Sequence, residues 1–423
     1  MRLVYSFNCS EHREKLLKLC RVSKDLYNQA LYVCIQAMKQ DEPKFLTYYD
    51  LNGILPHTYN LEGTINYRLL KAQVSQQTLK LVATALRSYF KAIKDYKQHP
   101  NKYTGQPKMP RYLPRNDYFL LTYTNQSCSI RNGYLVLSKN LKIRIPQYHK
   151  YEKELSAFHQ VRIIPKKTYI KVEVIYEQKG GSLALDPARH ASIDLGLNNL
   201  VTMVTDFSEP LIYSGKPIKA LNRQFNKALA KYRSFLEKNN GKKNSKSIEH
   251  IYAKRNNRMG DLMHKVSRHI VDSLERNNVG TLVCGCNKGW KDSINLGKRN
   301  NQQFVQIPHE RLISMLRYKC EMAGIRFIEN EESYTSKCDA LAMEPVCKHD
   351  TYMGKRVYRG LFQSGTGRLL NADVNGALNI LRKVVGDSYV SRIADSGWLF
   401  QPRKLRNLYC LSSGIVFNNL NGI

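Results

Sequence analysis

Three acidic residues stand far apart in the chain, each beside a predictable structural element. Asp194 lies in Ala191-Ser192-Ile193-Asp194-Leu195-Gly196. Glu332 opens Glu332-Ser333-Tyr334-Thr335-Ser336-Lys337, and Asp373 lies in Asn371-Ala372-Asp373-Val374-Asn375-Gly376-Ala377. Carboxylates brought together from separate elements suit hard divalent cations, which take oxygen ligands. Two such cations activate a water and stabilise the departing 3′-oxygen of a phosphodiester. The acids therefore point to a two-metal nuclease in which Asp194, Glu332 and Asp373 hold two Mg²⁺ ions. Glu329 and Glu331 compete with Glu332 for the middle place, and the Glu-x-x-Thr-Ser spacing favours Glu332. The plain alternative is an acidic turn after a strand.

The rest of the chain suits a polyanionic substrate. It has 423 residues, with 67 Lys and Arg against 34 Asp and Glu, a formal net charge of +33. A nucleic acid is the natural partner to relieve that self-repulsion. The 27 tyrosines add faces on which bases can stack. A generally basic, ribosomal-type protein would share the charge but would not need the spaced acids. Ten cysteines occur without a C-x-x-C pair, as expected for reduced thiols in a cytosol. The first ten residues are too short for a secretory segment, and no apolar run is long enough to span a bilayer, so no membrane partner is expected.

The acids need elements to carry them. Residues 2–7 alternate like a strand. Helical spacing runs over 11–39, and over about 72–96 with Val74, Leu79, Val82, Leu86 and Ile93 on one side. A basic, proline-bearing loop spans 97–116, where Lys108 and Arg111 suit a phosphate backbone. From 118 to 176 the period changes to two, which predicts short strands in a small antiparallel barrel joined by strand 2–7. The second half reads as α/β: strands near 191–195, 200–205 and 211–213, helices over 216–238 and 247–277, a strand over 280–286, a helix over 309–322, a strand over 325–328, an irregular insert over 337–370 and a last helix over 373–384. That order is the order of a ribonuclease-H-like fold. It puts Asp194 on the central strand and Asp373 at a helix start, where an acid is favoured as a cap.

The segments Asp194-Leu195-Gly196-Leu197-Asn198-Asn199-Leu200, Tyr334-Thr335-Ser336-Lys337 and Ala372-Asp373-Val374-Asn375-Gly376-Ala377 resemble the RuvC motifs of TnpB. TnpB is the transposon-encoded RNA-guided nuclease family related to compact type V CRISPR effectors. The likeness extends to the 73–80 helix, to Gly105-Gln106-Pro107-Lys108-Met109-Pro110-Arg111 and to Asn287-Lys288-Gly289-Trp290-Lys291. It implies a small β-barrel (wedge) domain from 1–10 and 99–182, a helical recognition domain over 11–98, a RuvC domain from 183–336 and 369–390, a target-nucleic-acid-binding insert over 337–368 and a tail over 391–423. It also implies an RNA-guided DNA endonuclease of a prokaryotic cytosol or nucleoid. Its partners would be a guide non-coding RNA, a double-stranded DNA target and the displaced strand. Residues expected to touch nucleic acid are Gln73, Gln76, Gln77, Lys80, Lys108, Arg111, Tyr123, Thr124, Asn125, Lys291, Arg299, Lys355 and Arg356. Glutamine and asparagine among them can read adenine by paired hydrogen bonds.

Two departures qualify the likeness. Many TnpB proteins carry the middle glutamate at the end of the strand that matches Thr281–Cys286, which here has no acid, so Glu332 is expected to replace it. The family's insert often holds a zinc ribbon from two C-x-x-C pairs. Here only Cys338, Cys347 and the neighbouring His349 are available, so structural zinc is not expected. The missing acid also keeps open a nuclease-dead, RNA-guided DNA-binding repressor, and a compact CRISPR effector is the other alternative.

Overall fold

The computed structural model describes residues 2–178, 181, 184–240, 245–286 and 307–411. The chain divides into two compact units, Met1–Lys179 and Gly180–Ile423. No helix among the described residues is long and apolar enough to cross a membrane.

The first unit holds helices α1 (Arg13–Met38), α2 (Tyr48–Ile54), α3 (Ala72–Gln98) and α4 (Glu152–Ser156). Its strands are β1 (Arg2–Cys9), β2 (Leu121–Thr124), β3 (Ser129–Arg131), β4 (Tyr134–Ser138), β5 (Leu141–Arg144), β6 (Phe158–Pro165) and β7 (Ile170–Glu177). The helical spacing read from the sequence buries Leu16, Cys20, Leu26 and Leu31 of α1 with Val74, Leu79, Val82 and Leu86 of α3. Each fully buried leucine there contributes roughly 1.5–3 kcal/mol. The seven strands, expected as a small antiparallel barrel, form two antiparallel sheets, β1-β7-β6-β2 and β3-β4-β5, around a shared core. The break follows β2. There the Ser127 and Cys128 amides both turn back to the Thr124 carbonyl, and β3–β5 pair only among themselves. The strand expected from 118 begins at Leu121, and the Phe119 amide is donated to the Cys20 carbonyl of α1 instead.

The second unit is mixed α/β. A six-stranded sheet has the order β12-β11-β8-β9-β10-β16, formed by β8 (Asp186–Leu195), β9 (Asn199–Thr205), β10 (Leu211–Ser214), β11 (Val279–Gly285), β12 (Arg326–Asn330) and β16 (Arg403–Leu405). Strands β8, β9 and β10 run as an antiparallel meander, and β11 is parallel to both β8 and β12. Helices α5 (Lys216–Asn240), α6 (Lys246–Arg276), α7 (His309–Ala323), α8 (Ala372–Val385) and α9 (Asp387–Ala394) surround it. Strand alternation sorts the faces. Ala191, Ile193, Leu195, Met203, Leu282 and Cys284 join the core made with α6 and α7. Val204 and Val283 join the core made with α8. Ser192 confirms the second face by donating its hydroxyl to the Ala377 carbonyl of α8 at 2.7 Å.

Two segments are more ordered than the sequence suggested. The insert contains a three-stranded antiparallel sheet, β13 (Lys355–Tyr358), β14 (Leu361–Gln363) and β15 (Leu369–Asn371). Its first hairpin turns at Gly360, whose φ of +96° is open to glycine and costly for other residues. The segment from 391, expected as a tail, contributes β16 to the edge of the main sheet and buries Leu399 and Leu408 completely.

Candidate active site

Asp194 lies on β8, at the centre of the sheet, on the face that α8 covers. Gly376, one turn into α8, permits the approach. A β-carbon there would stand 3.1 Å from Asp194 Oδ2. Asp373 sits in the first turn of α8. The cap itself is Asn371, whose side-chain oxygen accepts the Asp373 and Val374 amides at 3.0 and 3.4 Å. This corrects the sequence reading of Asp373 as the cap, and it leaves the Asp373 carboxylate free of that task. The positive end of the helix still favours its charge.

Glu332 enters from the end of β12. Its Oε2 lies 3.2 Å from where a β-carbon on Gly285 would be, and the same β-carbon would collide with Ile380 of α8. Residue 285 has room for no side chain because the Glu332 carboxylate and Ile380 fill the space. Glu329 and Glu331 are engaged elsewhere. Glu329 pairs with Cys284 in the β11–β12 register, which puts it on the face away from α8, and it forms an ion pair with Arg317. Glu331 is exposed and pairs with Lys383 at 3.3 Å.

The three carboxylates repel one another. Burial first, then the charges of Asp373 and Glu332, push Asp194 well above the usual carboxylate range, while Arg356 of the insert and the Leu195 amide pull it back. Glu332 is also raised, by burial and then by Glu331, against the pull of Lys383. All three residues remain half-buried, so the cluster is open to a solute. Buried Asn199 donates to Asp373 Oδ2 at 2.6 Å, and its own side-chain oxygen has no partner. Thr202, directly across the ladder from Asp194, is buried with an unpartnered hydroxyl.

This donor set suits the divalent ions the sequence implies. Hard oxygens, mutual repulsion without a compensating cation and an orphaned amide oxygen beside Asp373 all fit a hard cation. Among the described residues, no three His, Cys, Asp or Glu side chains already stand close enough to enclose one ion. The acids converge without forming a finished cage.

The expected nucleic-acid residues differ in their surroundings. Gln73 and Thr124 are brought together, with the threonine hydroxyl donated to Gln73 Oε1 at 2.7 Å. Gln76 and Gln77 are half-buried on α3, Asn125 is exposed, and the Lys80 ammonium lies 5.0 Å from the centre of the Tyr48 ring. Lys108, Arg111, Lys355 and Arg356 are exposed. Tyr123 is a correction. It is only 4% exposed within the first unit's core, because β2 buries three successive residues and its ring cannot reach a base edge. Lys291 and Arg299 lie outside the described residues.

The insert is held by two buried acids. Asp339 accepts the Leu341, Ala342 and Gly365 amides and the Ser364 hydroxyl. Glu344 accepts the Asp339 and Met353 amides at 2.7 and 2.9 Å. Cys338 donates its thiol to the Cys347 carbonyl, and Cys347 faces His349 at 3.4 Å.

Comparison with known proteins places two stretches of the chain beside known families. Residues 170–291 match the family model of a probable transposase, OrfB_IS605, and residues 309–380 match the model of the Cas12f1-like TNB domain. The TnpB-like protein ORF457 of Acidianus two-tailed virus is 26% identical over 205 residues, 46% of this chain and 42% of that protein. The chain is TnpB-like. It matches less than half the length of that curated relative. Its fold is also that of Cas12f1 as solved by cryo-EM in a Cas12f1–sgRNA–target DNA complex, with a TM-score of 0.57 and 16% identity over 88% of this chain and 82% of the other. The mini RNA-guided endonuclease Cas_phi3 aligns over 95% and 94% at 11% identity with a TM-score of 0.49.

Two participants escaped the sequence reading of this TnpB-like chain. Asn199 stood inside a quoted motif without a role, and a polar residue three positions beyond Gly196, past the end of β8, was the available signal. Gly285 was read as a missing acid, whereas its lack of a side chain is what admits Glu332.

Proposed function

We propose that the chain is an RNA-guided DNA endonuclease with a ribonuclease-H-like RuvC domain, acting in a prokaryotic cytosol or nucleoid. The observation that carries this reading is the convergence of Asp194, Asp373 and Glu332 on one face of the sheet in a chain of net charge +33. The Cas12f1 of similar fold was solved with guide RNA and target DNA, which supports the same classes of partner here.

Asp194, Glu332 and Asp373 would hold two Mg²⁺ ions, whose chemistry when bound is to activate water and stabilise the departing oxygen. The chain's own residues prepare that centre. Asn199 fixes one oxygen of Asp373. Gly376 and Gly285 bring Asp194 and Glu332 against α8. Arg356 adds positive potential beside Asp194, on the side from which a phosphate would be drawn. The unclosed spacing of the acids favours one second reading, guided binding without cleavage.

Expression with flanking genomic sequence, recovery of the co-purifying RNA and incubation with a matched plasmid and Mg²⁺ separate the two. Guide-dependent cleavage supports the nuclease. A discrete RNA with guided binding and no cleavage supports the binder, and RNA-free protein that cuts any DNA rejects both.

A further inference from the structure

We propose that Lys383 and Asn379 of α8 are positioning residues that hold the Glu332 turn at a set distance from Asp373. The inference rests on the proposed metal-dependent nuclease and names residues that no motif comparison assigns to it.

Glu332 lies on a turn that is held from outside as well as from within. Tyr334 adopts φ +65°, a left-handed conformation that a tyrosine takes only where its surroundings impose it. Within the turn, the Thr335 hydroxyl and amide both return to the Glu332 carbonyl, at 2.8 and 3.3 Å. The Ser333 amide and hydroxyl are donated to the Glu331 carboxylate, and the Lys337 and Cys338 amides return to the Tyr334 carbonyl. Further constraints come from α8. The Lys383 ammonium donates to the Glu331 carbonyl at 3.0 Å and the Ser333 carbonyl at 2.9 Å, so it grips the backbone on both sides of Glu332. Its third contact is the Glu331 carboxylate at 3.3 Å. An ammonium has three donors, and all three are spent on this turn.

Asn379, one turn earlier and fully buried, donates to the Thr335 carbonyl at 2.9 Å and the Cys338 carbonyl at 2.7 Å. Arg382 fixes its orientation by donating to its side-chain oxygen at 2.8 Å. The hydrogen bonds of Asn379 end on the backbone that flanks Glu332, and those of Lys383 end there or on Glu331. The helix that begins with Asp373 therefore also carries the clamp on Glu332, so one rigid element sets both acids. Outer residues that orient metal ligands commonly govern metal affinity rather than substrate binding.

The test uses the purified protein–RNA complex. Mn²⁺ binding is followed by the electron-paramagnetic signal of the free ion, and the Mg²⁺ concentration for half-maximal cleavage is measured alongside. Lys383→Met should weaken Mn²⁺ binding and raise the Mg²⁺ requirement, each by about tenfold. Guided DNA binding without divalent ions and the metal-free melting temperature should stay at wild-type values, and Lys383→Arg should restore most of the loss. Asn379→Ser should act in the same direction. A fall in metal-free melting temperature with unchanged Mn²⁺ affinity would mean a purely structural role and overturn the proposal. If the wild type binds Mn²⁺ in an Asp194-dependent manner and Lys383→Met binds it equally well, the clamp alone is wrong. If wild-type Mn²⁺ binding is indifferent to Asp194→Ala, both the metal site and the clamp fall.

Discussion

Two acidic clusters in the second unit treat their charge in opposite ways. In the insert, Asp339 is wholly buried and receives four hydrogen bonds, three from backbone amides and one from Ser364. Glu344 beside it receives two more amides. On the sheet, half-buried Asp194 has one backbone donor, Leu195, and faces two further carboxylates that push its pKa up. A carboxylate saturated with donors is a staple that closes a loop. A carboxylate left short of donors and set against its own kind is destabilising unless a cation arrives. The sequence leads us to expect magnesium on the sheet and no structural zinc in the insert, and this contrast gives the two places different physical roles.

The contrast can be broken most strongly on the sheet. Asp194→Ala or Asp373→Ala should lower guided plasmid cleavage by about 10³-fold or more, since metal-borne charge stabilisation is worth several kcal/mol, with guided binding retained. The same cluster has a signature without metal. Asp194 holds its proton more tightly folded than unfolded, so its protonation stabilises the fold at low pH. That stability is lost as pH rises from the ordinary value of 3.8 through the raised folded value. Thermal melts of the metal-free protein should show this decline, and Asp194→Asn should flatten it. A wild-type profile that rises over the same interval would contradict the assignment.

In the insert the acid serves as a structural acceptor. Asp339→Ala strands several buried donors and should cost about 3 kcal/mol in chemical denaturation, with no rescue by divalent ions. Rescue by added metal would show that this acid, too, awaits a cation. Gly285→Ala sharpens the comparison at the boundary. Its β-carbon meets Ile380 and Glu332, and the overpacking should cost about 1–3 kcal/mol and reduce cleavage. The smallest effect is expected at exposed Cys347, whose thiol lies 3.4 Å from His349 Nε2. Cys347→Ser should change stability by less than about 0.5 kcal/mol.

What the sequence revealed of this unit followed from periodicity and from contrast with background. Asp194 and Asp373 could be read because each lies at the edge of a strongly patterned element. Glu332 could be read because acids crowding one strand end are conspicuous in a chain of net charge +33. Gly285 could not be read correctly, because a steric vacancy leaves no chemical mark and only the nearness of Glu332 and Ile380 gives it meaning. Tyr123 was misplaced because β2 is buried through three consecutive residues, which defeats alternation. The ordered segment after 391 was missed because β16 has three residues and its place depends on pairing with distant β10. The insert's staples are likewise invisible in sequence, since Asp339 and Ser364 meet only after the chain has folded.

The most direct test of the account compares Glu332→Gln with Glu331→Gln in the protein–RNA complex, scoring Mg²⁺-dependent cleavage of a matched plasmid at equal guided binding. The substitutions are adjacent and nearly isosteric, but only Glu332 reaches the space beside Gly285, while Glu331 is exposed and paired with Lys383. The account predicts that Glu332→Gln abolishes cleavage with RNA and DNA binding intact, and that Glu331→Gln still cuts. Wild-type cleavage by Glu332→Gln would contradict it and remove Glu332 from the catalytic set.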